Sequence, residues 1–365
     1  MNSWNVYIHV PFCAKNCSYC NFSKVLSTEE DLHEQYFLQL QKEVLESSLK
    51  KGDIIKTLYF GGGTPSLMSF SILQEFLEFL SKNYSLSEKI EISLECHPST
   101  VTEKKVKGWE NLGITRVSLG IQSFLQKFDD FLDRDLSTIK KALSLLQNRS
   151  FYLSCDLIFG FPEQTLDDVK KDLLEIEKHK IQHISYYALD YKPLTKIASE
   201  QDKSLEYDVI CSYYKYICAF LEKRGLKQYE IYNFSQVGQE SIHNLDFWKQ
   251  EDYLGFGLSS VSCFHSQIQE NTQNFKKYMQ GDFIENIYKL EEEELLEQYI
   301  KRALRLNSGI NKKDFLEKFP KQFFLIIEKS KLLQSWLKED STNMYLTNTG
   351  KMYFGEVIEY LIEDL

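Results

Sequence analysis

The sequence predicts an α/β protein: an open or partial (β/α)6 barrel over residues 1–225, a strand and loop extension over 226–289, and a small winged-helix-like C-terminal domain over 290–365. Three observations carry that prediction. Short β-branched or aromatic runs alternate six times with longer stretches of helical periodicity, the pattern of parallel strands joined by right-handed helical crossovers. The chemically unusual residues fall at or just beyond the ends of those runs, where a β/α barrel assembles its sites. From about Gln228 the alternation lapses into glycine-rich and polar segments, and the chain closes on a series of helices with one short strand.

The first strand is read over residues 6–10 and leads into a loop holding three cysteines. In the helix that follows, Leu32, Tyr36, Leu40 and Val44 form one stripe, with Glu29, Glu34 and Lys42 outside it. Ser27 and Thr28 are its expected caps. The second strand, 57–60, runs into the glycine run 61–65, and Ser71 or a neighbour opens the next helix. The third, 91–94, ends at Glu95, with Thr102 capping its helix. The fourth, 116–119, precedes Gln122. The fifth, 152–159, carries Asp156 and ends at Gly160, and the sixth spans 183–189. Beyond it, YEIYNFS reads as a strand, followed by a polar loop, HNLDFW and YLGFGLSS wrapping the barrel. Helices from near Glu291, over 312–319 and from Gln322, a strand at 344–346 and a last helix make the C-terminal unit.

Eight cysteines, a net charge of −10 and no apolar run long enough to span a bilayer bound the function. An acidic chain repels phosphates at long range, so nucleic acid is not an expected partner, and the acidic run at 291–294 argues against DNA binding by the C-terminal unit. The N-terminus shows neither a basic leader nor an apolar core, which predicts a cytoplasmic protein. Thiols there stay reduced, so three cysteines within eight residues suggest a metal site rather than a disulfide.

Cys13, Cys17 and Cys20 form C-x3-C-x2-C directly after a strand. Three thiolates on a tight loop can ligate three irons of a cubane and leave the fourth open to a small molecule. A zinc site is the alternative, but it needs a fourth ligand, for which His9 or His97 would have to approach in space. GGGTP at 61–65 by itself reads as a turn, although glycines also let backbone N–H and C=O groups approach a ligand closely. Glu95, Gln122, Arg134 and Asp156 are polar residues near strand ends that serve equally as loop-stabilising side chains.

The cysteine spacing, with Tyr19 before the third cysteine, resembles the signature of the radical S-adenosylmethionine superfamily. More narrowly, YIHVPFC, GGGTP, GIQSF, DLIFGFP and YLTNTG resemble the oxygen-independent coproporphyrinogen III dehydrogenases and the HemW-type haem chaperones. The resemblance covers nearly the whole chain. It implies a [4Fe-4S] cluster on the three cysteines and S-adenosylmethionine bound by Tyr7, Tyr19, Gly62, Gly63, Thr64, Glu95, Gln122, Arg134 and Asp156. Glu95 would accept hydrogen bonds from ribose hydroxyls.

Two features separate the branches. The dehydrogenases carry a further cysteine two residues after the third, preceded by a long N-terminal segment; here Phe22 holds that position and twelve residues precede Cys13. The chaperones carry an HNxxYW motif, present here as His243-Asn244-Leu245-Asp246-Phe247-Trp248. A neutral imidazole can ligate haem iron while aromatic rings cover the macrocycle, although by residue type alone a hydrogen-bonded loop histidine is the commoner case. The chaperone branch implies haem as cargo, an electron donor not identified by any motif, and delivery to membrane-bound respiratory proteins. A homodimer suits such a role, although no motif specifies one. Coproporphyrinogen III dehydrogenase activity is disfavoured, a metal-binding scaffold without radical chemistry is the third reading, and productive cleavage of S-adenosylmethionine stays open. The chain departs from its relatives at Phe247, His97, the DYKPLTK segment, and Asp133 and Leu136 beside Arg134.

Overall fold

The structure is a computed structural model that describes residues 2–132, 134–193 and 195–363. Strands β1 (Ser3–Val10), β2 (Ile54–Gly62), β3 (Ser85–Cys96), β4 (Arg116–Gln122), β5 (Tyr152–Phe159) and β6 (His183–Ala188) lie side by side in chain order, each parallel to the next. Helices between and after them include Glu30–Glu46, Phe70–Asn83, Glu103–Asn111, Leu136–Leu146, Leu166–Lys178 and Tyr207–Glu222. The outward strand positions, among them Val6, Ile8, Leu58, Phe60, Leu94, Val117, Leu157 and Ile184, bury against the helices' apolar stripes. This is the main core.

Both edges of the six-stranded unit are extended by later chain. Tyr253–Phe256 joins β1 in parallel, and Asn233–Ser235 joins β6 antiparallel. The resulting twelve-stranded sheet ends at Lys227–Glu230 on one side and Ile284–Lys289 on the other, an open arrangement. The extension is thus more than strand and loop. HNLDFW, expected in a loop region, forms the helix Ile242–Trp248. Ser241 accepts from Asn244 N at 3.3 Å, and the Glu91 carboxylate of β3 accepts from the Ile242 and His243 backbone N–H groups at 3.1 and 3.0 Å. Ser241 is a local cap, whereas the one supplied by Glu91 from 150 positions away leaves no local signal.

Two other helix starts shift. Ser27 donates its backbone N–H to the Cys13 carbonyl and so belongs to the cysteine loop, which moves the cap position of the first helix to Glu29. Ser69 caps the second helix, accepting from Ile72 N, whereas Thr102 caps the third as expected.

Residues from Glu292 onward build a second core around Leu296, Ile300, Phe315, Ile326, Met344 and Leu361. Helices Glu292–Arg305, Lys312–Lys318, Phe323–Leu332 and Phe354–Ile362 surround a three-stranded antiparallel sheet of Ile310–Asn311, Asn343–Leu346 and Leu337–Glu339. Among the described residues no helix is long and apolar enough to cross a membrane.

Candidate functional site

Side chains alternate along a strand, so the residues between the outward apolar positions face the barrel interior. They are mostly polar: Asn5, Tyr7 and His9; Thr57 and Tyr59; Glu91, Ser93 and Glu95; Arg116 and Ser118; Ser154 and Asp156; His183, Ser185 and Tyr187. Parallel sheets covered on both faces are ordinarily apolar on both. The polar inner face therefore marks a lumen, and it opens into a cavity of about 990 Å³. Cys13, Cys17, Tyr19, Cys20, Gly62, Gly63, Thr64, Glu95, Gln122, Arg134 and Asp156 all line it. Eleven positions spread over five strands and their loops thus meet in one place.

The cysteine loop is pinned at both ends. Phe12–Cys13 pairs in parallel with Val25–Leu26, Val25 N donates to Pro11 O at 2.8 Å, and His9 Nε2 lies 2.9 Å from Ser23 O. All three cysteines are free thiols. Thr64 Oγ1 donates to Cys13 Sγ and Arg134 Nη1 to Cys17 Sγ, each at 3.6 Å. Arg134 also reaches Tyr19 Oη at 2.9 Å and Gly120 O at 3.2 Å, tying the end of β4 to the cysteine loop. Hydroxyl and guanidinium donors aimed at sulfur suit a sulfur-ligated cluster, in which hydrogen bonds to the sulfurs tune the potential. Among the described residues no three His, Cys, Asp or Glu side chains converge closely enough to hold a single metal ion. A cubane makes a different demand, since each thiolate takes its own iron. The donor set and its hydrogen bonds therefore fit a cluster.

His9 and His97 are both engaged elsewhere. His9 Nδ1 lies 3.1 Å from Tyr7 Oη, and His97 Nδ1 accepts from Ser99 N at 3.1 Å. Tyr7 itself stands behind the glycine loop, its ring edge 2.8 Å from where a Cβ on Gly61 would sit.

The glycine loop presses on the cysteine loop. Gly62 has φ +109°, and a Cβ there would lie 2.6 Å from the His9 ring; at Gly63 it would lie 2.7 Å from Pro11 and Phe12 backbone atoms. Only glycine fits. Gly62 N donates to Glu95 Oε2 at 2.9 Å, and Tyr59 Oη donates to Glu95 Oε1 at 3.0 Å. Burial, with the nearby Asp156 charge second, pushes the Glu95 carboxyl up to about 7. Asp156 accepts from Ser118 Oγ at 3.0 Å, and burial pushes it up to about 6. Gln122 ends β4 in the left-handed region at φ 71°.

Around Arg134, Asp133 lies outside the described residues. Asp135 caps the following helix by accepting from Ser137 N and Thr138 N, and Leu136 is that helix's first residue. The LDRDLS departure thus starts a helix. Phe22, at the position of the dehydrogenases' extra cysteine, is 61% exposed.

His243 is not at the mouth. Its Nδ1 lies 2.7 Å from Thr57 Oγ1, its ring stacks on Tyr59 at 5.0 Å, and burial holds its pKa down at about 4. It sits at the lumen floor. Phe247 and Trp248 are covered by Arg302 and Arg305, whose guanidinium carbons lie 4.7 and 4.4 Å from the ring centroids. The floor also holds Glu91 and Arg116, joined at 3.2 Å, with Arg116 donating to Gln239 O and Glu240 O at 3.0 and 2.9 Å. Motif reasoning missed this pair and Ser118; the signal available was an acid, an arginine and a serine at inward positions of buried strands.

Comparison with known proteins fits this geometry. The radical SAM superfamily pattern matches residues 7–176. A zebrafish (Danio rerio) relative, radical S-adenosyl methionine domain-containing protein 1, mitochondrial, is 33% identical over 84% of this chain and 73% of its own length. This chain belongs to the radical SAM superfamily, in its HemW-type family. Within that family, the heme chaperone HemW of Bacillus subtilis (strain 168) is 27% identical over 99% of this chain and 100% of its own. The coproporphyrinogen III oxidase HemN of Escherichia coli, described as a radical SAM enzyme, shares the fold at a TM-score of 0.86 and 20% identity, covering 100% of this chain and 91% of that one. That likeness shows the shared fold.

Proposed function

We propose that this chain is a radical-SAM-type haem chaperone: it holds a [4Fe-4S] cluster on Cys13, Cys17 and Cys20, binds S-adenosylmethionine beside it, and carries haem to membrane-bound respiratory proteins. The observation that carries the cofactor part is the convergence of three free thiols, a glycine loop that admits no Cβ and two buried carboxyls on one cavity. The names of relatives aligned over nearly their whole lengths support haem as cargo.

In this reading the chain's own residues bind and orient. Gly62 and Gly63, whose N–H groups are already given to Glu95 and Val10, offer backbone carbonyls to the methionine end, and Glu95 keeps acceptor capacity for ribose beyond its bonds to Gly62 and Tyr59. Thr64 and Arg134 hold thiolate charge, Tyr19 keeps Arg134 in place, and Gln122 and Asp156 line the adenosyl side. The cluster, when bound, supplies a single low-potential electron to the sulfonium. Haem ligation by His243 would fall to Nε2, because Thr57 Oγ1 gives its proton to Asn5 and so accepts that of His243 Nδ1; burial of the ring means that the helix Ile242–Trp248 must move to admit a macrocycle, so ligation is proposed for an opened form.

Anaerobic reconstitution tests each part. Iron and sulfide near four of each per chain, lost in Cys17→Ala, is expected for a cubane; bound zinc would instead favour the scaffold reading. Haem titration is expected to give a Soret band that weakens in His243→Ala, and an unchanged band removes His243 as ligand. Conversion of coproporphyrinogen III under reducing conditions would overturn the chaperone reading in favour of the dehydrogenase, which Phe22 disfavours.

A further inference from the structure

The C-terminal unit meets the helix that carries His243 through two arginines. Arg302 and Arg305 stand one turn apart at the end of helix Glu292–Arg305, and both fold onto aromatic side chains of helix Ile242–Trp248. The Arg302 guanidinium carbon lies 4.7 Å from the Phe247 ring centroid and 5.9 Å from that of Tyr253; the Arg305 carbon lies 4.4 Å from Trp248 and 5.7 Å from Phe354. Cations in a last turn suit the helix dipole, but the dipole does not ask that both lie over the rings of another helix.

Neither charge is saturated. Arg302 packs on rings and forms no ion pair with a carboxylate among the described residues. Arg305 Nε stands 3.7 Å from Glu230 Oε2, beyond hydrogen-bond distance, and is a buried donor without a hydrogen-bond partner among the described residues. Burial outweighs the Arg305 charge and pushes the Glu230 carboxyl up to about 7, so this acid neutralises the arginine only in part. Arg305 also lines the cavity, as do Ser241 and Asn244, which bracket His243 in the chain. Of the other arginines there, Arg116 is committed to Glu91 and two backbone carbonyls, and Arg134 to the cysteine loop.

A haem brings two carboxylates along with its iron and its apolar ring. An acidic chain repels them unless fixed cations meet them, and arginine, always charged and with a planar fork of donors, matches a carboxylate best. The movement that admits a macrocycle at His243 takes Phe247 and Trp248 off the two guanidiniums. The rings are then available to the face of the macrocycle and the two charges to its carboxylates.

We propose that Arg302 and Arg305 are the carboxylate-binding pair of the haem site, covered by Phe247 and Trp248 until the helix Ile242–Trp248 moves. The inference rests on haem being the cargo, and it makes the C-terminal unit part of that site.

Titration of the full-length, cluster-reconstituted protein with haemin and with haemin dimethyl ester, followed at the Soret band, tests it. The ester keeps the iron and the ring but has no carboxylates. The parent is expected to bind haemin at least about tenfold more tightly than the ester. Arg302→Gln/Arg305→Gln should bring the two affinities within about threefold of each other, and Arg302→Lys/Arg305→Lys should keep part of the preference. Freeing the helix acts on both ligands alike, so the ratio of affinities isolates the carboxylates. Arg302→Gln alone breaks no ion pair and should lower the ratio by about threefold, which keeps the test open if circular dichroism shows the double variant misfolded. Equal affinity of the parent for haemin and its ester, or a preference undiminished in the folded variants, overturns the inference while haem binding stands. A parent that binds neither porphyrin overturns the haem reading and this inference together.

Discussion

Removing Glu91 is expected to unseat the helix that carries His243. Glu91 is buried and collects Arg116 Nε at 3.2 Å, Ser241 Oγ at 3.3 Å and the backbone N–H groups of Ile242 and His243. In Glu91→Ala the Arg116 guanidinium, 2% exposed, becomes an uncompensated buried charge. Breaking such a pair from one side costs about 3–5 kcal/mol, and each orphaned backbone N–H adds about 1–3 kcal/mol. These terms do not all appear in global stability, because detaching residues 239–248 lets water reach both groups at a lower cost. The expected result is therefore local: faster amide exchange across Ile242–Trp248, with a loss of about 3 kcal/mol in urea unfolding. Glu91→Gln keeps an acceptor and should fall between. Glu91→Met/Arg116→Met should recover the part of the loss due to the buried charge but not the part due to the Ile242 and His243 N–H groups, which separates the two. Hydrogen-exchange mass spectrometry and denaturation read both quantities. Glu91→Ala within 1 kcal/mol of the parent, with unchanged exchange at 242–248, would refute the reasoning.

Gly63→Ala places a Cβ 2.7 Å from Pro11 and Phe12 backbone, so the cysteine loop must shift; reconstituted iron content should fall while the apoprotein stays folded by circular dichroism. Arg134→Gln removes the guanidinium donating to Cys17 Sγ, and the cluster's reduction potential, read by spectroelectrochemistry, should become more negative. Burial pushes the Asp172 carboxyl up to about 7, so the fold favours its neutral form. Stability from this group is full below the ordinary aspartate pKa and declines as pH rises toward about 7, by at most roughly 4 kcal/mol. Asp172→Asn can still accept from Phe124 N, and its thermal midpoint should match the parent at pH 4 and exceed it at pH 8.

The six barrel strands were legible because β-branched and aromatic runs punctuated by glycine, proline and capping residues are local signals. The cysteine loop and GGGTP were legible as motifs, and the barrel model already implied that they meet. The sequence did not reveal how the floor is closed. Glu91 looked like the start of a strand and HNLDFW like part of a loop, because the bonds that make one the cap of the other cross 150 positions. Nor did the apolar stripe of the first helix reveal Glu43. That acid lies fully inside, accepting from Tyr278 Oη at 2.6 Å and Gly257 N at 2.9 Å, and so bolts the first helix to the chain beyond β6. Partners for a buried acid are supplied by tertiary structure, and charge alone reads as exposure.

Mouth and floor share one side chain, and this has a measurable consequence. Tyr59 gives its hydroxyl to Glu95, which holds Gly62, while its ring lies against His243. Under the proposed function, a ribose that competes for Glu95 changes what the Tyr59 hydroxyl bonds to, and the ring's fit over His243 changes with it. Under the same coupling S-adenosylmethionine should alter exchange at 242–248, and, because linkage is reciprocal, it should change haem affinity by the same factor as haem changes S-adenosylmethionine affinity. Tyr59→Phe keeps the stacked ring and removes the bond to Glu95. It should leave exchange at 242–248 near the parent value without ligand, and abolish the change that S-adenosylmethionine produces there. An undiminished response in Tyr59→Phe would mean that the two ends of the lumen communicate by another route, for which the Asn5–Thr57–His243 hydrogen bonds along β1 and β2 are the next path to cut.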